Sequence, residues 1–270
     1  MRPDGYHELD SLVAKVTLYD ELSVSSRPDG QIGLECTGAD CGPVDKNLAM
    51  RAALALRNLA GAGQAGPGAQ MQLRKRIPPG AGLGGGSSDA ATTLLALREL
   101  WGCTIGEEEL AGLAVSLGSD VPLFLAGPAS RMRGRGEVLR PVSVRPFHAV
   151  LYLSGLHCPT KEVYQAFDAL SPVPSEVNAG STEGFSNLPP GPAWDDLCFN
   201  DLQPAAMRVC PALAEVSERL ARATGRRVHM TGSGSGLFML AASQEEAEVI
   251  VQRLPGEMRM NCRIVQANGF

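Results

Sequence analysis

Apolar positions recurring at every second residue mark the first strands. After the turn Pro3-Asp4-Gly5, Leu12, Ala14, Val16 and Leu18 share one side of an extended segment. Leu22 and Val24, the turn Arg27-Pro28-Asp29-Gly30, and then Ile32, Leu34 and Cys36 predict a β-hairpin. The period then lengthens. Asn47 is placed to cap a helix with Leu48, Ala52, Leu56 and Leu59 on one face. A glycine-rich connection over 61–68 leads to a strand over 71–77. Ala90, Leu94, Leu97 and Trp101 fall at helical spacing, and Thr104-Ile105-Gly106-Glu107 reads as a capping box opening a helix that runs to Leu117 and stops at Gly118.

The pattern resets around 141–146, which sets the expected division into domains 1–145 and 146–270. The second half opens with a strand over 149–153. Residues 171–194, rich in Pro, Gly, Ser and Asn, read as a long mobile loop. Helices after Asn200 are expected to break at Pro204 and Pro211. Strands over 227–230 and 237–241, a helix over 244–254 and a strand over 260–265 complete a β–α–α–β–β–α–β order, which suits a ferredoxin-like α+β domain.

Composition narrows the class. With 270 residues the chain can build one large or two modest cores, and 44% hydrophobic with 20% charged residues is the balance of a globular protein. A net charge of −5 offers no general attraction to nucleic acid or anionic lipid, so an anionic ligand must be held by local groups. Seven scattered cysteines point to a reducing compartment. Cys36 and Cys41 lack metal-site spacing and a nearby histidine. No apolar run reaches membrane-spanning length and the first residues resemble no targeting segment, so a cytoplasmic location is expected.

The chemistry centres on Pro79-Gly80-Ala81-Gly82-Leu83-Gly84-Gly85-Gly86-Ser87-Ser88-Asp89. Five glycines among the seven residues 80–86 let the backbone come close to a ligand, and the N-cap types Ser87, Ser88 and Asp89 lead into a helix. Free N–H groups and the positive end of a helix dipole make an anion site, and phosphate is the expected anion. No lysine follows in P-loop position. Gly80-x-Gly82-x-x-Gly85 matches a dinucleotide fingerprint in letters, but Arg74, Lys75 and Arg76 are foreign to a strand buried on both faces. The companion segments of a protein kinase do not occur.

The stretch from Pro79 to Ala91 resembles the phosphate loop of the GHMP kinases, P-x-x-x-G-L-G-S/G-S-[SA]-[SA]. Gly118-Ser119-Asp120-Val121-Pro122 is similar to the family's G-[AS]-D-[VI]-P, and Met230 to Ser235 to its third glycine motif. Arg131 to Leu139 resembles a family hairpin, expected to be a solvated basic face, with a contact to diphosphate as the alternative. Arg2-Pro3-Asp4-Gly5-Tyr6-His7-Glu8-Leu9 is similar to a word of one branch, whose kinases act on the 2-hydroxyl of a cytidine diphosphate derivative of a methylated sugar alcohol, on the non-mevalonate route to isoprenoid precursors. Pro159-Thr160-Lys161-Glu162-Val163-Tyr164 and Asn200-Asp201-Leu202-Gln203 match further segments of that branch.

The resemblance implies an α+β, two-domain GHMP kinase fold, with an N-terminal domain like domain 2 of ribosomal protein S5 and a ferredoxin-like C-terminal domain. It implies ATP held by 79–88 with Asn47 and Lys75, Mg2+ on the Ser88 hydroxyl, and Asp120 as catalytic base. Tyr6, His7, Tyr164, Thr231, Gly232 and Ser233 would hold the substrate, Tyr6 and Tyr164 by stacking on cytosine. His148 and His157 read as structural. The expected state is a monomer or weak homodimer. One family segment, P-[AS]-K-x-N-L ahead of the Asp-Gly-Tyr-His word, does not occur in this sequence. Its lysine pairs with the catalytic aspartate in the family, so the expectations are that Met1 is not the natural start and that the chain as given is a poor kinase. The alternative is a catalytically impaired nucleotide or cytidine-ligand binding module.

Overall fold

The computed structural model describes residues 5–60, 66–170 and 192–267. The chain divides into two compact units, Met1–Val13 with Tyr19–Pro79 and Gly84–Pro141, and Ala14–Leu18 with Gly80–Leu83 and Val142–Phe270. Two short segments therefore belong to the second unit although their neighbours in sequence belong to the first.

In the first unit, strands β2 (Glu21–Arg27), β3 (Ile32–Gly38) and β4 (Gly68–Lys75) form a sheet of order β2-β4-β3. The expected hairpin is thus opened. The turn at Gly30 forms, with Arg27 paired to Asp29, but β4 lies between the two strands, antiparallel to β2 and parallel to β3. The crossover helix α1 (Leu48–Leu59) returns the chain parallel to β3, and β4 buries Ala69, Met71 and Leu73 at the sheet centre, where a hairpin would leave them no place. Asn47 caps α1 as expected, its side chain accepting from the Ala49 N–H at 2.9 Å. Small residues Ala49, Ala52 and Ala53 on α1 let it pack closely on α2 (Gly85–Leu100), which contributes Ala90, Leu94 and Leu97 to the same core.

Two expected helix starts shift. Helix α2 begins at Gly85 behind Gly84, so Ser87, Ser88 and Asp89 lie inside its first turns and cap nothing. Helix α3 (Glu107–Leu117) starts after Gly106, whose N–H donates to the Glu109 carboxylate at 3.2 Å; Thr104 and Glu107 do not make the box because the helix starts too late for that register. Helix α4 (Val121–Leu125) follows Asp120. A second sheet, order β1-β5-β6, joins β1 (Leu9–Ala14) to the hairpin of β5 (Ala129–Gly134) and β6 (Val138–Pro141). The basic hairpin face is not simply solvated, since Arg131 and Arg133 both pair with Asp10 of β1.

In the second unit, β7 (Phe147–Tyr152), β8 (His229–Met230), β9 (Leu237–Ala241) and β10 (Cys262–Ala267) form an antiparallel sheet of order β10-β7-β9-β8. This is the strand order of a ferredoxin-like domain, as expected. Its helices are α5 (Thr160–Ala169), α6 (Pro192–Asp195), α7 (Gln203–Val209), α8 (Pro211–Thr224), α9 (Gln244–Arg253) and α10 (Gly256–Arg259). One helix ends and the next begins at Pro211, as expected, whereas Pro204 breaks nothing. Each stands in a first turn, where a missing N–H forfeits no helical hydrogen bond. Trp194, read as the end of a loop, is buried in α6; residues 171–191 lie outside the described chain. Val16 and Leu18 continue the alternation of β1 without extending it, because they pack on Ala149, Leu151 and Val265 of this unit. Among the described residues no helix is long and apolar enough to cross a membrane.

Candidate active site

Within the second unit, Gly80–Leu83 lies on the third glycine motif. The Ser235 N–H donates to the Gly80 carbonyl at 3.2 Å and the Gly236 N–H to the Ala81 carbonyl at 3.1 Å. The Thr231 hydroxyl donates to the Gly82 carbonyl at 3.1 Å. Gly82 has φ +68°, and a Cβ there would come within 2.2 Å of the Thr231 carbonyl oxygen. A Cβ on Gly236 would come within 2.4 Å of the Ala81 carbonyl oxygen, so both glycines are required by close backbone approach. The motif is held in turn by Asn200, whose amide donates to the Met230 and Gly232 carbonyls at 2.9 and 2.8 Å. Ser233 shares a 2.8 Å hydrogen bond with Thr160, one helical turn before the half-buried Tyr164 on α5. His157 lies beside Gly80.

Within the first unit, Gly84 at φ +66° turns the chain into α2 with no side-chain cap. The N–H of Ser88 donates to the Gly84 carbonyl at 2.9 Å, so the amides of Gly85, Gly86 and Ser87 precede the first helical bond and face outward along the axis. Below them lies a buried ion cluster. The Lys75 ammonium, 7% exposed, donates to the Asp89 carboxylate at 2.7 Å and to that of Asp20. Asp20 also accepts from the backbone N–H groups of Arg76 and Ile77, at 2.5 and 2.9 Å, fixing the chain just before the glycine loop. Burial opposes the Lys75 charge, but the two carboxylates outweigh it and raise its pKa. One cation faces two carboxylates, and Asp89 is pushed up to about 6, first by burial and then by Asp20, against the pull of Lys75.

Asn47 sits nearby as the cap of α1, its amide also donating to the Cys36 sulfur at 3.7 Å. The Cys36 thiol is pushed up to about 12 by burial and by Cys41. Asp120 precedes α4 but makes no capping bond. Asp120 is exposed, yet the protein packed around its carboxyl withholds enough water to raise its pKa. The turn between β5 and β6 packs on it: a Cβ on Gly136 would stand 3.3 Å from the Ser119 carbonyl and 3.6 Å from Asp120 Oδ1. The same turn reaches Tyr6, which is exposed, and half-buried His7 flanks it.

Asp20 lies outside every sequence motif, whereas Asn200, Glu8 and Arg135 fall within matched segments that assign them no role. Strand register supplies the missing signal for Asp20. Glu21 pairs with Arg74 across β2 and β4, so the preceding residue falls opposite Lys75.

A glycine-cradled helix N-terminus with a carboxylate of raised pKa in the same unit is suited to transferring a phosphoryl group. Family models for the GHMP kinases N terminal domain and the GHMP kinases C terminal domain match residues 47–128 and 191–259. The chain belongs to the GHMP kinases, two-domain enzymes that use ATP as phosphate donor. A 4-diphosphocytidyl-2-C-methyl-D-erythritol kinase of Variovorax paradoxus is 38% identical over 97% of this chain and 88% of its own length. One from Thermus thermophilus is 41% identical over 94% of this chain and 86% of its own. The crystal structure of a 4-(cytidine 5'-diphospho)-2C-methyl-D-erythritol kinase aligns with TM-score 0.78 at 38% identity, covering 99% of this chain and 93% of that one. The structure of the L. major mevalonate kinase, at 18% identity and TM-score 0.72, shares the fold.

Proposed function

We propose that this chain transfers a phosphoryl group from ATP to the 2-hydroxyl of 4-diphosphocytidyl-2-C-methyl-D-erythritol, a step toward isoprenoid precursors on the non-mevalonate route. The observation that carries this reading is a juxtaposition in the first unit. Tyr6, which matches the branch-specific word, and Asp120, which matches the family's base, are both in contact with the turn over 134–136. Relatives 38–41% identical over most of the chain, named for this activity, support the same conclusion.

In this reading the amides of Gly85, Gly86 and Ser87, at the positive end of the 16-residue α2, hold phosphate oxygens. Gly80–Leu83 continues the loop. Asp120 accepts the proton of the attacking hydroxyl; partial desolvation by neighbouring protein raises its pKa toward the range where a general base works best. Tyr6, His7 and Tyr164 hold the cytosine, with Thr231, Gly232 and Ser233 toward the substrate. Asn47 and Lys75 stand at the nucleotide side, the lysine as a charged anchor of the loop. Among the described residues no group of three or more His, Cys, Asp or Glu side chains could hold a metal. A magnesium ion carried by ATP phosphates needs only one or two protein oxygens, and the Ser88 hydroxyl fits that part, supplying charge neutralisation of the phosphates. We further assign nucleotide binding to 1–145, a cytoplasmic location, and a monomer or weak homodimer.

The test is Asp120→Asn. ATP binding should persist while transfer falls roughly a hundred- to ten-thousand-fold, the range of general-base contributions. More than half of the unmodified rate in the variant would sink the assignment. An unmodified chain that binds both ligands and transfers nothing would favour the binding-module alternative.

A further inference from the structure

We propose that Arg135 is a positioning residue for the Tyr6 ring, and through it a determinant of affinity for the cytosine base. This rests on the function proposed above. The Arg135 guanidinium carbon lies 4.6 Å from the centroid of the Tyr6 ring, within cation–π range. Tyr6 is 53% exposed, and the Arg135 guanidinium covers one face of its ring. A contact that orders a stacking platform before ligand binds lowers the ordering cost that would otherwise subtract from affinity.

The backbone that presents Arg135 is fixed at several points. The Arg135 N–H donates to the Glu137 carboxylate at 2.6 Å, and the Gly134 N–H donates to the Glu8 carboxylate at 3.0 Å. Glu8 is two residues from Tyr6, so the turn and the Tyr6-His7-Glu8 segment are tied together at two places. Asp10, four residues from Tyr6, pairs with Arg131 and Arg133 and sets β1 against the same hairpin. Gly134 at φ +72° and Gly136 at φ +118° hold the turn in a conformation closed to residues with a Cβ, and Arg135 between them carries the only side chain of 134–136. Gly136 in turn abuts Ser119 and Asp120. The turn therefore sets the base-stacking ring and the proton acceptor from one short piece of backbone. A guanidinium on one face of the ring leaves stacking to the opposite face and orders the ring before substrate arrives.

The experiment is a double-mutant cycle in the full chain, Arg135→Ala, Tyr6→Ala and both together, with Arg135→Lys as the conservative variant. Arg135→Ala should raise KM for the cytidine substrate about two- to five-fold, the size of an exposed cation–π contact, and leave kcat and KM for ATP unchanged. Arg135→Lys should retain most of the unmodified affinity because the cation remains. In the Tyr6→Ala background, Arg135→Ala should add nothing. An equal rise in both backgrounds would mean that Arg135 touches the substrate itself, and no rise in either would mean that it does not act; both overturn the proposal. If the unmodified chain transfers no phosphate to the cytidine substrate, the proposed function fails first. Calorimetric binding of cytidine 5'-diphosphate to the same proteins then reads the cycle independently, with the same two outcomes against it.

Discussion

The glycine loop is one continuous stretch of sequence, but its two parts are held by opposite means. In the first unit the approach to the loop is fixed by charge. Lys75, Asp20 and Asp89 form a buried ion cluster, and Asp20 also holds the N–H groups of Arg76 and Ile77. In the second unit Gly80–Leu83 is fixed by neutral groups, backbone amides and the Thr231 hydroxyl on carbonyls, with glycines wherever the two strands of backbone come close. The charged anchor is strong only while every partner is present, since an unpaired buried ion is costly. The neutral anchor tolerates the loss of one hydrogen bond but no added atom. The first should respond to pH and charge, the second to volume.

Asp20→Ala should be the most damaging way to test that contrast. It removes one of two carboxylates from a buried ammonium and strips two backbone N–H groups of their acceptor, at an expected cost of about 3–5 kcal/mol. Each unit contains one tryptophan, Trp101 in the first and Trp194 in the second, so urea unfolding followed by Trp101 fluorescence in a Trp194→Phe background reads the first unit alone. A loss below about 1 kcal/mol would show that charge does not hold this part of the loop.

Gly82→Ala comes next. A left-handed backbone and a Cβ driven to 2.2 Å from the Thr231 carbonyl should cost about 1–3 kcal/mol. Trp194 fluorescence in a Trp101→Phe background should report it, and KM for ATP should rise. Unchanged values for both would remove close approach as the reason for glycine there.

Asp89→Asn should do least at neutral pH, about 1 kcal/mol or less, because lost attraction to Lys75 and relieved burial of a surplus charge oppose each other. Its signature is in the pH profile. With a folded pKa near 6, above the ordinary aspartate value, Asp89 binds its proton more tightly folded than unfolded. It thus favours the folded state at acid pH, and that contribution is lost as pH rises from about 4 to about 6. The variant should flatten this slope in the unfolding midpoint of the first unit. A slope identical to that of the unmodified chain would place the titration elsewhere.

Much of this could be read from the residues alone. The capped helix after Asn47, the glycine loop running into α2, the β–α–α–β–β–α–β order and the carboxylate after Gly118-Ser119 are local patterns whose residue types admit few other structures. The hairpin at Arg27 to Gly30 misled because turn chemistry fixes the turn and not the partner of each strand. Insertion of β4 is decided by where Ala69, Met71 and Leu73 can be buried. Alternation through Leu18 misled in a similar way, since burial on two different sheets leaves one unbroken period.

The sequence by itself determined the class of chemistry, the family, and the residues here proposed to bind phosphate and accept a proton. Tertiary structure alone decided which groups hold them. It set Asp20 across from Lys75 by strand register, Asn200 under the third glycine motif, and Arg135 against Tyr6 by closing β5 and β6 into one hairpin. Motifs record backbone needs that repeat within a few residues. Partners 55 or 129 residues apart, as Asp20 and Lys75 or Tyr6 and Arg135 are, meet only through register and packing, which no short stretch of chain encodes.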